Sequence, residues 1–115
     1  MAATFDDGLI RIYDVKNLSE PGEISRKGLV YFESFSFGEE TLGITRFYEA
    51  MRADQKIERV VRIYRDDRIN TNQVAVMEDD TQYQIQMVQS AKDDDGIDIK
   101  KLSLERISDQ YEIIG

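Results

Sequence analysis

Apolar and polar residues alternate in short runs along most of this chain, and a period of two is the spacing of a β-strand, whose successive side chains point to opposite faces. The first run, LIRIYDV, sets Ile10 and Ile12 on one side and Leu9, Arg11 and Tyr13 on the other. KNLSEPGEISRK, from Lys16 to Lys27, holds the only proline and a Pro-Gly pair, so it predicts an exposed loop. LVYFESFSF then alternates Tyr31, Glu33, Phe35 and Phe37 with Val30, Phe32, Ser34 and Ser36. Its aromatic content favours a strand, which GEETLG is expected to break.

The segment ITRFYEAMRADQKIERVVRIYR mixes two periods. Ile44, Phe47, Tyr48 and Met51 stand at helical spacing, whereas Val61 and Ile63 stand at strand spacing, so a strand or helical turn to about Met51 precedes a strand from Ile57 to Tyr64. RDDRINTNQ is a polar loop. Beyond it Val74 and Val76 point one way, the chain turns at Glu78, Asp79 and Asp80, and the returning strand sets Thr81, Tyr83, Ile85 and Met87 opposite Gln82, Gln84 and Gln86. The alternation slips by one at Met87 and Val88, and again at Lys100 and Lys101, where Ile97 and Ile99 give way to Leu102 and Leu104. Such parity changes mark β-bulges, which bend strands and help close small barrels. The pattern predicts an all-β fold: a small antiparallel β-barrel or sandwich of about six strands, with at most one short helix near Arg46 to Ala53.

Composition narrows the function classes. At 115 residues the chain has room for one domain, 1–115, around one core. Fifteen basic against 23 acidic residues leave a net charge of −8, which opposes tight, phosphate-led binding of nucleic acid and attraction to anionic membranes. The chain has no Cys and no His. Disulfides, thiolate nucleophiles, cysteine metal sites and imidazole acid–base chemistry are thereby excluded, and a reducing compartment is compatible. No window approaches the ~20 apolar residues of a membrane-spanning helix, and the first residues lack the pattern of a secretion signal.

Candidate chemistry is sparse. DDDGID, Asp93 to Asp98, clusters carboxylates around a glycine, but a calcium loop would need an acid near position 91 and a bidentate Glu near position 102, where Ala91 and Leu102 stand. It predicts a hairpin turn, as does EDD at Glu78 to Asp80. There is no Gly-rich phosphate loop, serine elbow or Glu-x-x-His pair, so no catalytic residue, metal or cofactor is assigned. Phe32, Phe35, Phe37, Phe47, Tyr48 and Tyr83 fit either a base-stacking platform or a packed core, and the acidic charge favours the core.

Two sets of residues are candidates for a protein interface. Gln82, Gln84 and Gln86 would form one row on a strand face, supplying donors and acceptors without a charge to desolvate, which suits either a covered face or a solvated one. Arg59, Arg62, Arg65 and Arg68 recur every three residues. A strand splits them between faces, and Arg62 and Arg65 are the two assigned to contacts, since the planar guanidinium is favoured in protein interfaces.

The order of elements from about Thr41 to Arg106 resembles the head-closure, or head-tail joining, family of long-tailed bacteriophages. The resemblance is carried by RFYEAM, then VVRIYR, then the hairpin VAVMEDDTQYQIQMVQ with its Tyr-x-Ile, then the closing strand IDIKKLSLER. DDGLIRIYDV stands where the family's first strand would lie, without the usual Arg-rich opening or tryptophan, which leaves a neighbouring tail-completion role open. The resemblance implies a small-barrel fold and a non-enzymatic virion subunit, assembled in the bacterial host cytoplasm. Its partners would be copies of itself in a ring, twelve-fold on the portal or adaptor protein, and a tail-completion or tail-terminator protein. Packaged DNA would pass through the channel without specific binding, as an acidic wall suggests. The loops Lys16 to Lys27 and Arg65 to Gln73 would reach neighbours or gate the channel. The alternative from another class is a single-stranded nucleic-acid-binding barrel.

Overall fold

A computed structural model describes residues 6–22, 26–40 and 57–114 of the chain. Among the described residues seven strands are found: β1 (Gly8–Asn17), β2 (Lys27–Glu40), β3 (Arg59–Tyr64), β4 (Gln73–Val76), β5 (Gln82–Lys92), β6 (Asp98–Arg106) and β7 (Glu112–Ile113). The described residues contain no helix. The expected short helix near Arg46 to Ala53 lies outside the described residues.

The first six strands close into an antiparallel barrel in the order β1-β4-β5-β6-β3-β2, with β2 returning to β1. Two meanders, β1 to β3 and β4 to β6, are joined by the β3–β6 and β1–β4 ladders. The seventh strand adds to β2 in parallel. Closure leaves the six barrel strands few open edges, which an isolated flat sheet would expose to aggregation.

Closure depends on bent strands, and both middle strands are bulged. In β2 the register shifts where Ile12 faces Glu33 and Tyr13 faces Tyr31, so Phe32 is the extra residue. In β5 it shifts where Ile85 faces Leu104 and Met87 faces Ser103, so Gln86 is extra. A bulge in the returning strand was expected one residue later. The second slip, expected at Lys100 and Lys101, does not occur: β6 pairs with β3 in unbroken register from Ile99 to Leu104. Ile97 lies in the preceding turn and is 45% exposed, so it never belonged to the strand's alternation. Nor does GEETLG break the second strand at Gly38, because Gly38, Glu39 and Glu40 pair with Arg62, Val61 and Val60 of β3. Ladder hydrogen bonds override the weak strand propensity of those residues.

The barrel interior is filled by side chains. Ile10 and Ile12 of β1, Val61 and Ile63 of β3, Ile85 of β5, and Leu102 and Leu104 of β6 are each fully buried there, with Phe37 and Tyr83 closing one end. Ile69, in the loop between β3 and β4, is 5% exposed and belongs to the same cluster, so the loop plugs the other end. Each such aliphatic side chain contributes about 1.5–3 kcal/mol by leaving water.

A second, smaller cluster lies on the outside. Tyr13, Leu29, Val74 and Val76 are buried on the outer face of β1, β2 and β4, with Val15, Ile107 and Tyr111 packed against them. The chain leaving β6 crosses this face before ending as β7. Gly28 makes that approach possible: a Cβ there would stand 3.2 Å from the carbonyl oxygen of Glu112 and 2.7 Å from Leu18 Cδ1.

Candidate interface

The glutamines of β5 keep the alternation expected of them and use it differently. Gln82 and Gln84 lie opposite Val76 and Val74, on the outer face of the barrel. Gln82 is nevertheless only 3% exposed, because the chain's own C-terminal crossing covers it. Its side-chain Nε2 donates to the Tyr111 carbonyl at 2.9 Å, and its Oε1 accepts from the Tyr111 N–H at 2.8 Å. The backbone carbonyl of Gln82 also accepts from the N–H of Ile107 at 3.0 Å. A solvent-facing or partner-facing Gln82 is thereby corrected: this amide is committed inside one chain.

Gln84 is half-buried and donates through Nε2 to the carbonyls of Thr71, at 2.7 Å, and Gln73, at 3.2 Å. It ties the plugging loop to the barrel wall. Gln86 is the bulge residue, and its Nε2 donates to Glu105 Oε2 at 2.6 Å. Because the bulge consumes one position, Met87 turns to the outer face opposite Ser103, and Val88 takes the inward place opposite Leu102. The expected row of Tyr83, Ile85 and Met87 in the core therefore holds for the first two and fails at Met87.

The arginines are engaged on the surface. Arg62 lies on the outer face of β3; its side chain is 12% exposed, donates to the carbonyl of Glu39 at 2.5 Å and stands 3.8 Å from Glu40. Lys101 reaches the same Glu40 carboxylate at 3.0 Å. Arg65 is half-exposed and forms a fork with both carboxylate oxygens of Asp67, each at 3.0 Å, with Asp98 at 3.6 Å. The Arg65 guanidinium and the Lys100 ammonium together hold the Asp67 carboxyl below its ordinary range. Arg68 pairs with Asp66 and Glu33 and lies over the Phe32 ring at 4.8 Å, fastening the plugging loop to the bulge of β2. The loop Arg65 to Gln73, expected to reach neighbours, is thus held down over the barrel.

At the opposite end, Arg59 lies 5.7 Å from the ring centres of both Phe37 and Tyr83 and pairs with Glu39. This end forms a recess of about 210 Å³ whose carboxylates, Asp7, Glu78 and Asp79, each accept a backbone N–H, from Glu39, Leu9 and Thr81. They are local caps. Both acidic runs form the hairpin turns expected: Asp80 adopts φ 66° at the β4–β5 turn, and Asp93 Oδ1 accepts the N–H groups of Asp95 and Ile97 at 2.9 Å each. Among the described residues no group of three acidic side chains is arranged to hold a metal ion.

Of the six aromatics considered for base stacking, Phe37 and Tyr83 are buried, and Phe32 and Phe35 pack against the core. Phe47 and Tyr48 lie outside the described residues. Among the described residues the large exposed aromatics are instead Tyr31 and Tyr64.

Sequence reasoning missed a groove at the end where β1 and β2 join. It has a volume of about 380 Å³ and is lined by Val15 and Asn17 of β1, Lys27 of β2, Thr71 and Asn72 of the β3–β4 loop, Gln84 of β5, and Tyr111. Gln84 among them was marked individually, and Asn17, Lys27, Thr71 and Asn72 fall in the two loops expected to reach neighbours, but nothing in the sequence brought these together. No protein-family model matches this sequence, and a search of curated proteins finds no match.

Proposed function

We propose that the chain is a structural subunit of a bacteriophage head-tail connector, acting in head closure below the portal. The observation that carries the reading is the barrel itself: closed and filled with buried side chains, it offers a rigid body of the kind a ring subunit needs. This is the small-barrel fold implied by the resemblance of the segment Thr41 to Arg106. Copies would assemble as a ring on the portal or adaptor, retain packaged DNA and dock a tail-completion or tail-terminator protein, all within the virion. The net charge of −8 supports a conduit that does not grip phosphate. Tail completion, one position further along the same axis, is the neighbouring alternative. The nucleic-acid-binding alternative is disfavoured by the burial of Phe37 and Tyr83.

The test is co-sedimentation of the purified chain with DNA-filled heads that carry a portal but lack connector proteins. Binding to these heads, and none to heads without a portal, is expected. Equal binding to both would overturn the reading.

A further inference from the structure

The groove between the β1–β2 hairpin and the loop following β3 is electrostatically unlike the rest of this acidic molecule. Among the described residues, ten basic side chains, from Arg11 to Arg106, stand within ion-pair distance of a carboxylate. The two that do not are Lys16 and Lys27, neighbours on the same hairpin, where Lys16 faces Gly28 and Asn17 faces Lys27. Among the described residues Lys27 is the one charged residue lining the groove; the other polar lining groups, Asn17, Thr71, Asn72, Gln84 and Tyr111, are uncharged amides and hydroxyls. A concave site with a single unpaired cation and a wall of neutral donors selects an acidic polypeptide segment, because a carboxylate gains a charge partner there and meets no like charge in the lining.

The same chain carries such a segment on a rigid mount. The turn joining β5 and β6 exposes Asp94, Asp95 and Ile97, and Gly96, at φ 79°, lets it reverse tightly. β4 pairs with β5 only as far as Gln84, whereas β6 continues to pair with it to Lys92. The tip therefore stands 92 − 84 = 8 residues beyond the groove residue Gln84, ~26 Å at ~3.3 Å per residue. A hydrogen-bonded hairpin of that length cannot fold back onto its own groove. It can enter the groove of a neighbour.

We infer that the acidic β5–β6 tip of one copy docks in the Lys27 groove of the next. The two surfaces are different patches of one molecule, so the contact is head-to-tail and generates a ring when the rotation closes. The inference rests on the reading of the chain as a ring subunit, and names the contact that would build the ring.

Because the chain has no cysteine, a single introduced thiol reports its own position. Chains carrying Thr71→Cys, in the groove wall, are mixed with chains carrying Ile97→Cys, at the tip, under mild oxidation at high protein concentration. The control partner carries Asp109→Cys, an exposed position away from the tip. The expected result is that the 71–97 disulfide forms several-fold faster than the 71–109 disulfide. Adding Lys27→Glu to the groove chain should abolish the excess, and adding Asp95→Lys to the tip chain should restore it. Equal rates for the two pairings, or an excess indifferent to Lys27→Glu, would overturn the contact. Native protein that binds portal-bearing heads while showing no 71–97 excess would sink the contact and leave the ring reading standing. A clear excess without any binding to heads would keep the contact and remove the phage role.

Discussion

Gln82 and Tyr111 hold each other through both halves of an amide: the glutamine side chain donates to the tyrosine carbonyl at 2.9 Å and accepts from its N–H at 2.8 Å. The pairing continues the hydrogen bonding of a strand by means of a side chain. It pins the last segment of the chain across the outer face of β1 and β4, where Ile107 and Tyr111 cover Val74 and Val76. Replacing Gln82 by Ala should therefore cost about 1–3 kcal/mol, since two backbone groups lose their partner in a half-buried place. Urea unfolding would measure the loss, and limited proteolysis should show earlier cleavage beyond Arg106. Stability equal to that of the native chain would mean that water replaces the amide at no cost.

The bulge at Gln86 separates two neighbours that simple alternation would treat alike. Ile85→Ala removes a side chain that is fully buried in the barrel and should cost ~2–5 kcal/mol. Met87→Ala, on the outer face, should cost clearly less. Equal losses in thermal unfolding would place the bulge elsewhere.

Ile69 tests whether the β3–β4 loop is part of the core. With 5% of its surface exposed, truncation to Ala should cost ~2–5 kcal/mol, a large effect for a loop residue. Denaturant unfolding would settle it: a change within ~0.5 kcal/mol is what an ordinary surface loop gives.

Acid should loosen the same surface. Asp66 is held below the ordinary carboxylate range chiefly by its hydrogen bond from Arg68, Asp67 by Arg65, and Asp98 by Lys92. A carboxyl whose folded pKa is depressed contributes stability that is present above the unfolded value, about 3.9, and is lost as pH falls through the folded value. The melting temperature should thus hold steady down to about pH 5 and fall below about pH 4. Asp67 and Asp98 face solvent, so high salt should flatten their share of the fall, whereas Asp66, with 15% of its side chain exposed, is screened less. A rise in melting temperature below pH 4 would contradict the pairing.

Most strands were legible because burying one face of a sheet imposes alternation that a reader can count. Ile10 and Ile12, Val61 and Ile63, and Tyr83 and Ile85 all point inward as their spacing requires. The bulge of β2 was hidden, since Phe32 sits in a run so rich in aromatics that either parity looks apolar. Gln82 was misjudged for a different reason. Its direction follows from local parity, but its burial depends on residues 107–114 returning from across the molecule, and no local pattern encodes that return. Arg62 and Arg65 were marked by residue type alone, and type does not tell which carboxylate will lie opposite. The groove at Lys27 gathers residues far apart in sequence, so only the closed barrel reveals it.

The most direct measurement of the proposed role is functional joining. DNA-filled heads blocked at the connector step are incubated with the purified chain and then with tails, and the particles are counted by electron microscopy. The expected result is a ring added beneath the portal, retained DNA and tailed particles in numbers that depend on added protein. Heads that acquire no density at the portal and lose their DNA at the same rate with and without the protein would contradict it.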